Sequence, residues 1–205
     1  MTKILHVIGG NQINGSVRIS GAKNSVLPIM AATLLTEQEI NIENAPKLLD
    51  TLTMIDLLRS LGGEVDFFSE QDLAHKAKIC CSKIKNFFIS ESIVSKMRAS
   101  CLVLGPLLSR FKDKVTLTFP GGCTIGARPI DMHLDGLREM GAEVEVRDGV
   151  IEASARQGLS GAHIKFRSAS VGATENVLMA ATLARGRTII ENAAMEPEIL
   201  ANMVW

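Results

Sequence analysis

Gly21-Ala22-Lys23-Asn24-Ser25-Val26-Leu27 is followed by Ala31-Ala32-Thr33-Leu34 and then Ile42-Glu43-Asn44-Ala45. Late in the chain the same elements return in the same order: Gly172-Ala173-Thr174-Glu175-Asn176-Val177-Leu178, Ala180-Ala181-Thr182-Leu183 and Ile190-Glu191-Asn192-Ala193. Self-similarity of this kind marks a repeated supersecondary unit that buries its apolar face only by stacking on its copies. A weaker copy lies between them, Lys96-Met97-Arg98-Ala99-Ser100 leading to Leu104-Gly105-Pro106-Leu107-Leu108 and the alternating run Val115 to Phe119.

A second correspondence links Leu57-Leu58-Arg59-Ser60-Leu61-Gly62-Gly63-Glu64-Val65 with Gly136-Leu137-Arg138-Glu139-Met140-Gly141-Ala142-Glu143-Val144. Each closes a helical pattern on a glycine, as a left-handed C-cap requires, and then enters a strand. The unit therefore reads as helix, strand, helix, strand, with a further strand. Its first helix is apolar nearly all round (Val26 to Leu35, Ala99 to Leu108, Val177 to Ala184), which belongs in a core. Its second helix is amphipathic, with Met54, Leu57, Leu58 and Leu61 on one side. Strands are expected at 17–20, 40–42, 79–80, 115–119, 144–146, 150–153 and 188–190. The fold class is α/β, repeated units closing around buried helices. Glu196 to Trp205 opens the second helix of a third unit, and the glycine and Glu-Val strand of the other two do not follow. On this reading the third unit is truncated, the chain is a fragment, and apolar surface near Ile189, Ile199 and Met203 is left uncovered.

Composition narrows the function. Hydrophobic residues make up 46% of the chain, enough for a real core. Basic and acidic residues balance at 22 each, without the basic face of a nucleic-acid binder. No apolar run approaches the roughly 20 residues of a membrane helix, and the first residues soon reach Gly9-Gly10 and lack a signal peptide's apolar stretch. Cys80, Cys81, Cys101 and Cys123 show no CxxC spacing. The expectation is a cytoplasmic protein with free thiols, no membrane or nucleic-acid partner, and no metal.

The chemistry-bearing residues gather at loop-to-helix junctions. Cys123 follows Gly121-Gly122, and Arg128 comes later in the same loop, where a cation lowers a thiol's pKa and makes it reactive. By residue type alone a single cysteine is more often a small hydrophobe, and the flanking glycines, Thr124 and the arginine move the balance the other way. Lys23-Asn24 opens the first helix of unit one, where a point charge and free N–H donors suit a phosphate or carboxylate. A solvated lysine is the plain alternative, but the third copy has Thr174-Glu175 instead, so the architecture does not dictate the lysine. Arg98 holds the equivalent start in unit two, and the two cations could converge on one anion. Ser168-Ala169-Ser170-Val171-Gly172 supplies small residues and free amides before the third copy. Asp131 reads as a helix cap and His133 as partly buried.

Together, Gly21 to Asn24, Met97 to Ser100, Pro120 to Pro129, Ser170 to Thr174 and Ile190 to Ala193 resemble enolpyruvyl transferases of the UDP-N-acetylglucosamine 1-carboxyvinyltransferase type. The sister family that makes 5-enolpyruvylshikimate 3-phosphate shares the fold, without this cysteine loop as its signature. The resemblance implies two inside-out, barrel-like lobes of three α/β units each, with helices inside and sheets outside. Residues 21–205 would form most of one lobe, and residues 1–20 would be strands of the other. It implies transfer of the enolpyruvyl group of phosphoenolpyruvate to the 3-hydroxyl of UDP-N-acetylglucosamine, with release of phosphate, towards peptidoglycan.

Carried over by position, Cys123 is the general acid and the residue alkylated by fosfomycin. Lys23 and Arg128 bind phosphoenolpyruvate and stabilise charge on the leaving phosphate, with Asn24 and Arg98 beside them. Arg128-Pro129-Ile130-Asp131-Met132 and Ser168 to Gly172 hold the UDP-sugar. Ser168 stands where the family often has a lysine, so Arg167 is the candidate substitute. No cofactor is implied. The aspartate base and a closing arginine belong to the other lobe, so this chain alone is expected to be inactive and to need a separately encoded second lobe. The alternative is an inactive remnant or weak ligand-binding fragment.

Overall fold

The apolar helices of the repeat do form the interior. The computed structural model describes residues 4–17, 19–69, 75–118 and 130–202. Cys123, Arg128 and Pro129, with the rest of the cysteine loop, lie outside them, as do Arg18, Phe119 and Met203. Helix α1 spans Lys23–Ala32 and continues as a 3-10 turn to Leu35, burying Val26, Leu27, Met30, Ala31 and Leu34. In unit two the expected single helix is a 3-10 segment, Arg98–Val103, followed by α4, Leu104–Arg110. Pro106 accounts for the break: without an N–H it cannot bond the carbonyl of Leu102, and it sits in the first turn of α4, where that loss costs least. Helix α6, Val171–Thr182, completes the set. It packs on α4, on the 3-10 segment and on α1.

Around these helices run β1 (Glu39–Ala45), α2 (Leu49–Leu61), β2 (Glu64–Ser69), β3 (His75–Cys80), β4 (Phe88–Ile89), α3 (Glu91–Val94), β5 (Val115–Thr118), α5 (Asp131–Glu139), β6 (Glu143–Arg147), β7 (Val150–Ser154), β8 (His163–Lys165), β9 (Ile189–Glu191) and α7 (Pro197–Asn202). The sheets are ordered β1-β3-β2, β4-β5-β7-β6 and β8-β9. The order β1-β3-β2 of unit one is matched by β5-β7-β6 of unit two. Parallel β4-β5 is matched by parallel β8-β9, each pair joined through a core helix. Three separate sheets flank the helices, and among the described residues they do not close into one barrel.

The repeat holds at the level of single hydrogen bonds. Gly62 and Gly141 both take positive φ, 108° and 95°, and their N–H groups donate to Arg59 and Arg138 at 3.0 and 2.9 Å. Those two arginines in turn donate to the strand carbonyls of Val65 and Val144, at 2.6 and 3.2 Å. Asn44 and Asn192, the asparagines of the two Ile-Glu-Asn-Ala copies, both sit in the left-handed region with φ of 52° and 57°. Asparagine tolerates that conformation better than most residues; Asn44 sits at the register irregularity near the end of β1, and Asn192 turns the chain just after β9.

Two sequence expectations fail. Residues 17, 19 and 20 hold the position that β4 and β8 hold in their units, yet carry no strand. An extended segment needs a partner for its N–H and C=O groups, and no strand among the described residues pairs with this one. Ile199 was expected to be exposed but is buried, at 2%, because α7 folds back against α1 and α6. Ile189 does stay open at 42%.

Units one and two are tied by Arg110. Its Nη1 donates to the carbonyls of Leu34, Thr36 and Cys81 at 2.9, 2.9 and 3.0 Å, while the guanidinium lies over the Phe111 ring. Its Nη2 donates to Glu37 Oε1 at 3.2 Å, so the planar guanidinium reaches the carbonyls with one arm and the carboxylate with the other, a fork that one ammonium cannot reproduce. Arg110→Ala should lower unfolding free energy by about 3 kcal/mol, since carbonyls lose a charged donor in a half-buried setting. Urea denaturation checks this, with Arg110→Lys expected to recover less than half of the loss.

Candidate active site

The two stretches expected to hold a nucleotide sugar are far apart in sequence and meet in space. Ile130 is the N-cap of α5 and Asp131 its first residue, so Asp131 is not the cap that its spacing suggested. Its Oδ1 accepts from the Met132 N–H at 3.0 Å, and its Oδ2 pairs with the Arg167 guanidinium. Met132 Sδ lies 4.0 Å from the Ser168 hydroxyl. Behind them, Gly172 in the first turn of α6 faces the His133 ring: a Cβ at Gly172 would lie 3.0 Å from its Cε1 and 3.2 Å from its Nε2. Glycine thus eases the close approach of the two helix starts, since a side chain there would press on the ring. Ser170 caps α6, its Oγ accepting from the Ala173 N–H at 3.4 Å. Ala169 is exposed in the same turn, and Val171 begins the helix.

Lys23 and Arg98 open α1 and the 3-10 segment, which pack on one another. The Lys23 ammonium is 3.0 Å from an Asp50 carboxylate oxygen in the first turn of α2, and both side chains are partly exposed. An exposed pair of this kind contributes little, so Lys23 can exchange Asp50 for a phosphate at small cost. Asn24 beside it is exposed. Pro28 has no N–H to bond the Asn24 carbonyl, which therefore lacks its helical partner.

Asn176 shows how the junction is held, and sequence reading passed over it as one letter of the repeat. Gly105 N–H donates to Asn176 Oδ1 at 2.7 Å, and Asn176 Nδ2 lies 3.2 Å from both the Cys101 carbonyl and His133 Nδ1. The available signal was an amide inside a helix otherwise read as apolar. Cys101 Sγ is 3.8 Å from the same His133 Nδ1. This cysteine, histidine and asparagine do not form a nucleophilic triad, because thiol and amide share one ring nitrogen and the asparagine donates where a triad's third member accepts. Cys80 and Cys81 are free thiols, and burial pushes the Cys81 thiol up from its ordinary value. Among the described residues no cluster of ligating side chains could hold a metal, and no helix is long and apolar enough to cross a membrane.

One turn beyond Gly172, Glu175 is 6% exposed and its Oε1 lacks a hydrogen-bond partner among the described residues. Burial, then the Glu198 and Glu196 carboxylates, raise its pKa from 4.5 to about 8. It takes the repeat position of Asn24, so the same architecture carries a neutral amide in one copy and a protonated acid in the other.

Comparison with known proteins bears on the family and the fold. Residues 7–204 match the model of the EPSP synthase (3-phosphoshikimate 1-carboxyvinyltransferase) family. A UDP-N-acetylglucosamine 1-carboxyvinyltransferase of Coxiella burnetii (strain Dugway 5J108-111) is 49% identical over 206 residues, 100% of this chain and 46% of that protein. One from Helicobacter acinonychis (strain Sheeba) is 49% identical over 95% of this chain and 45% of its own length. The chain thus spans about half the length of the curated relatives it matches. Among solved structures, the enolpyruvyl transferase NikO from Streptomyces tendae superposes with a TM-score of 0.78 at 23% identity, over 96% of this chain and 44% of that one. An EPSP synthase from Acinetobacter baumannii gives 0.68 at 18% identity, over 91% and 42%. These two share the inside-out α/β fold.

Glu175 gives this region a measurable pH dependence. An acid with a folded-state pKa above its unfolded value keeps its proton on folding. Stability is then full below about 4.5, falls as pH rises towards 8 and levels above it. Melting temperature followed from pH 5 to 9 should show that decline, and Glu175→Gln, which cannot ionise, should flatten it relative to the parent chain.

Proposed function

The chain belongs to the EPSP synthase family of enolpyruvyl transferases, and on that premise we propose that it is the cysteine-bearing half of a UDP-N-acetylglucosamine 1-carboxyvinyltransferase. The reaction would move the enolpyruvyl group of phosphoenolpyruvate to the 3-hydroxyl of UDP-N-acetylglucosamine and release phosphate, in the cytoplasm, as the committed step towards peptidoglycan. The observation that carries this reading is the meeting of residues 130–132 with 167–172, a junction of two helix starts bridged by Asp131 and Arg167. Identity of 49% along the full chain to relatives bearing that name supports the choice of substrates.

In this reading Cys123 is the acid that protonates the enolpyruvyl carbon, and Lys23 and Arg128 take the charge of the phosphate. Asn24 and Arg98 take the ligand-binding positions next to them in the family pattern. Arg128 to Met132 and Ser168 to Gly172 bind the UDP-sugar, with Arg167 supplying the cation that Ser168 does not. Residues 1–20 belong with a second lobe. Their support is the open apolar surface of Ile4, Leu5, Val7, Ile8, Ile13, Val17 and Ile19, each at least 74% exposed. The base for the sugar hydroxyl would come from the portion of the relatives that this chain does not span.

The test is complementation. The chain is mixed with the remaining segment of the Coxiella burnetii relative, and phosphate release from phosphoenolpyruvate and UDP-N-acetylglucosamine is measured. Release should need both pieces and both substrates, and Cys123→Ala should lower the rate by a factor of about 100 or more, as loss of a general acid does. Silence from a mixture of two folded pieces would reject the reading.

A further inference from the structure

The hydrogen bonds around Asn176 determine where the His133 proton sits. Gly105 N–H can only donate, so the atom it meets at 2.7 Å is the Asn176 oxygen. The Asn176 nitrogen then carries two hydrogens. One goes to the Cys101 carbonyl, which can only accept, at 3.2 Å, and the other to His133 Nδ1, also at 3.2 Å. Nδ1 must therefore be the bare nitrogen of a neutral ring, and the proton is on Nε2. The Cε1–Nε2 edge of the ring is the edge that faces Gly172. Asn176 is fully buried and His133 is 7% exposed, so water cannot replace either bond cheaply.

We infer that His133 is a positioning residue, locked as the Nε2–H tautomer by Asn176, whose ring sets the gap between the stretches 130–132 and 168–172. The inference rests on the nucleotide-sugar reading of those stretches only for its effect on binding. A proton on Nδ1 would face the Asn176 amide hydrogens, so the contact with Asn176 holds the ring in the Nε2–H form. The spacer acts from both sides. Asn176 belongs to the same helix as Gly172, and His133 to the same helix as Asp131 and Met132, so a shift of the ring moves the two stretches relative to each other. Gly136, one turn on in α5, reinforces this spacing: a Cβ there would lie 2.5 Å from Val177 Cγ2.

The experiment is long-range nitrogen–proton NMR on the 205-residue chain with labelled histidine, alongside amide shifts and titration with UDP-N-acetylglucosamine. At neutral pH His133 should show a bare Nδ1 and a protonated Nε2; a protonated Nδ1 overturns the proposal. Asn176→Asp replaces the donor with an acceptor. It should move the proton to Nδ1, shift the amide signals of both 131–132 and 168–172, and weaken nucleotide-sugar binding about tenfold. A changed tautomer with both stretches unmoved also overturns it. Should that variant fail to fold, Gly172→Ala crowds the ring without touching the buried amide. It should shift the same two stretches while the tautomer stays, and unmoved signals count against the proposal. If the parent chain shows the expected tautomer and shifts but binds no UDP-N-acetylglucosamine, the positioning contact stands and the nucleotide-sugar reading falls.

Discussion

A single buried amide, Asn176, holds together the elements on which the candidate site is built. It accepts from the backbone of α4, donates to the carbonyl of Cys101 in the 3-10 segment, and donates to His133 of α5. The helices around it are apolar and, taken alone, could slide past one another, because hydrophobic burial is not directional. A buried amide with all its bonds made has one acceptable arrangement, since each lost partner costs about 1–3 kcal/mol. Gly105 allows the contact: a Cβ there would lie 2.3 Å from the Asn176 carbonyl oxygen. The position of α6, and so of Ser168 to Gly172, follows from this one side chain.

Much of the fold was legible because the repeat is written in residues with restricted conformational roles. Gly62 and Gly141 end helices in the left-handed region, Asn44 and Asn192 take that conformation at the end of β1 and just after β9, and Arg59 and Arg138 reach forward to the next strand. Matching such positions matches geometry directly. The expectations that failed depend on what lies across space. Val17 to Ser20 alternates like a strand but has no partner among the described residues, and Ile199 is covered by a fold-back of α7 that no local pattern announces.

The candidate site was legible in part, for the same reason. Ser168 to Gly172 stood out as small residues before a helix and Ile130 to Met132 came in through the family resemblance, and the two stretches do meet. The Asp131–Arg167 pair was not visible, since only folding brings α5 to the loop before α6. Glu175 was passed over as a letter of the repeat, although an acid on an apolar helix must be either paired or neutral. The cysteine loop remains the most specific part of the sequence, and its role rests on family membership and on the junction it leads into.

The proposed reading makes the chain one wall of a cleft, with the nucleotide sugar held at the junction of α5 and α6 and Cys123 as the acid. Its central claim is that Cys123 is the reactive group and that the other thiols are bystanders. Peptide mapping by mass spectrometry, after the chain joined to its complementary half meets fosfomycin with UDP-N-acetylglucosamine, tests this most directly. The account predicts one adduct, on Cys123, that depends on the nucleotide sugar; an unmodified Cys123, or equal modification of Cys80 and Cys101, would contradict it.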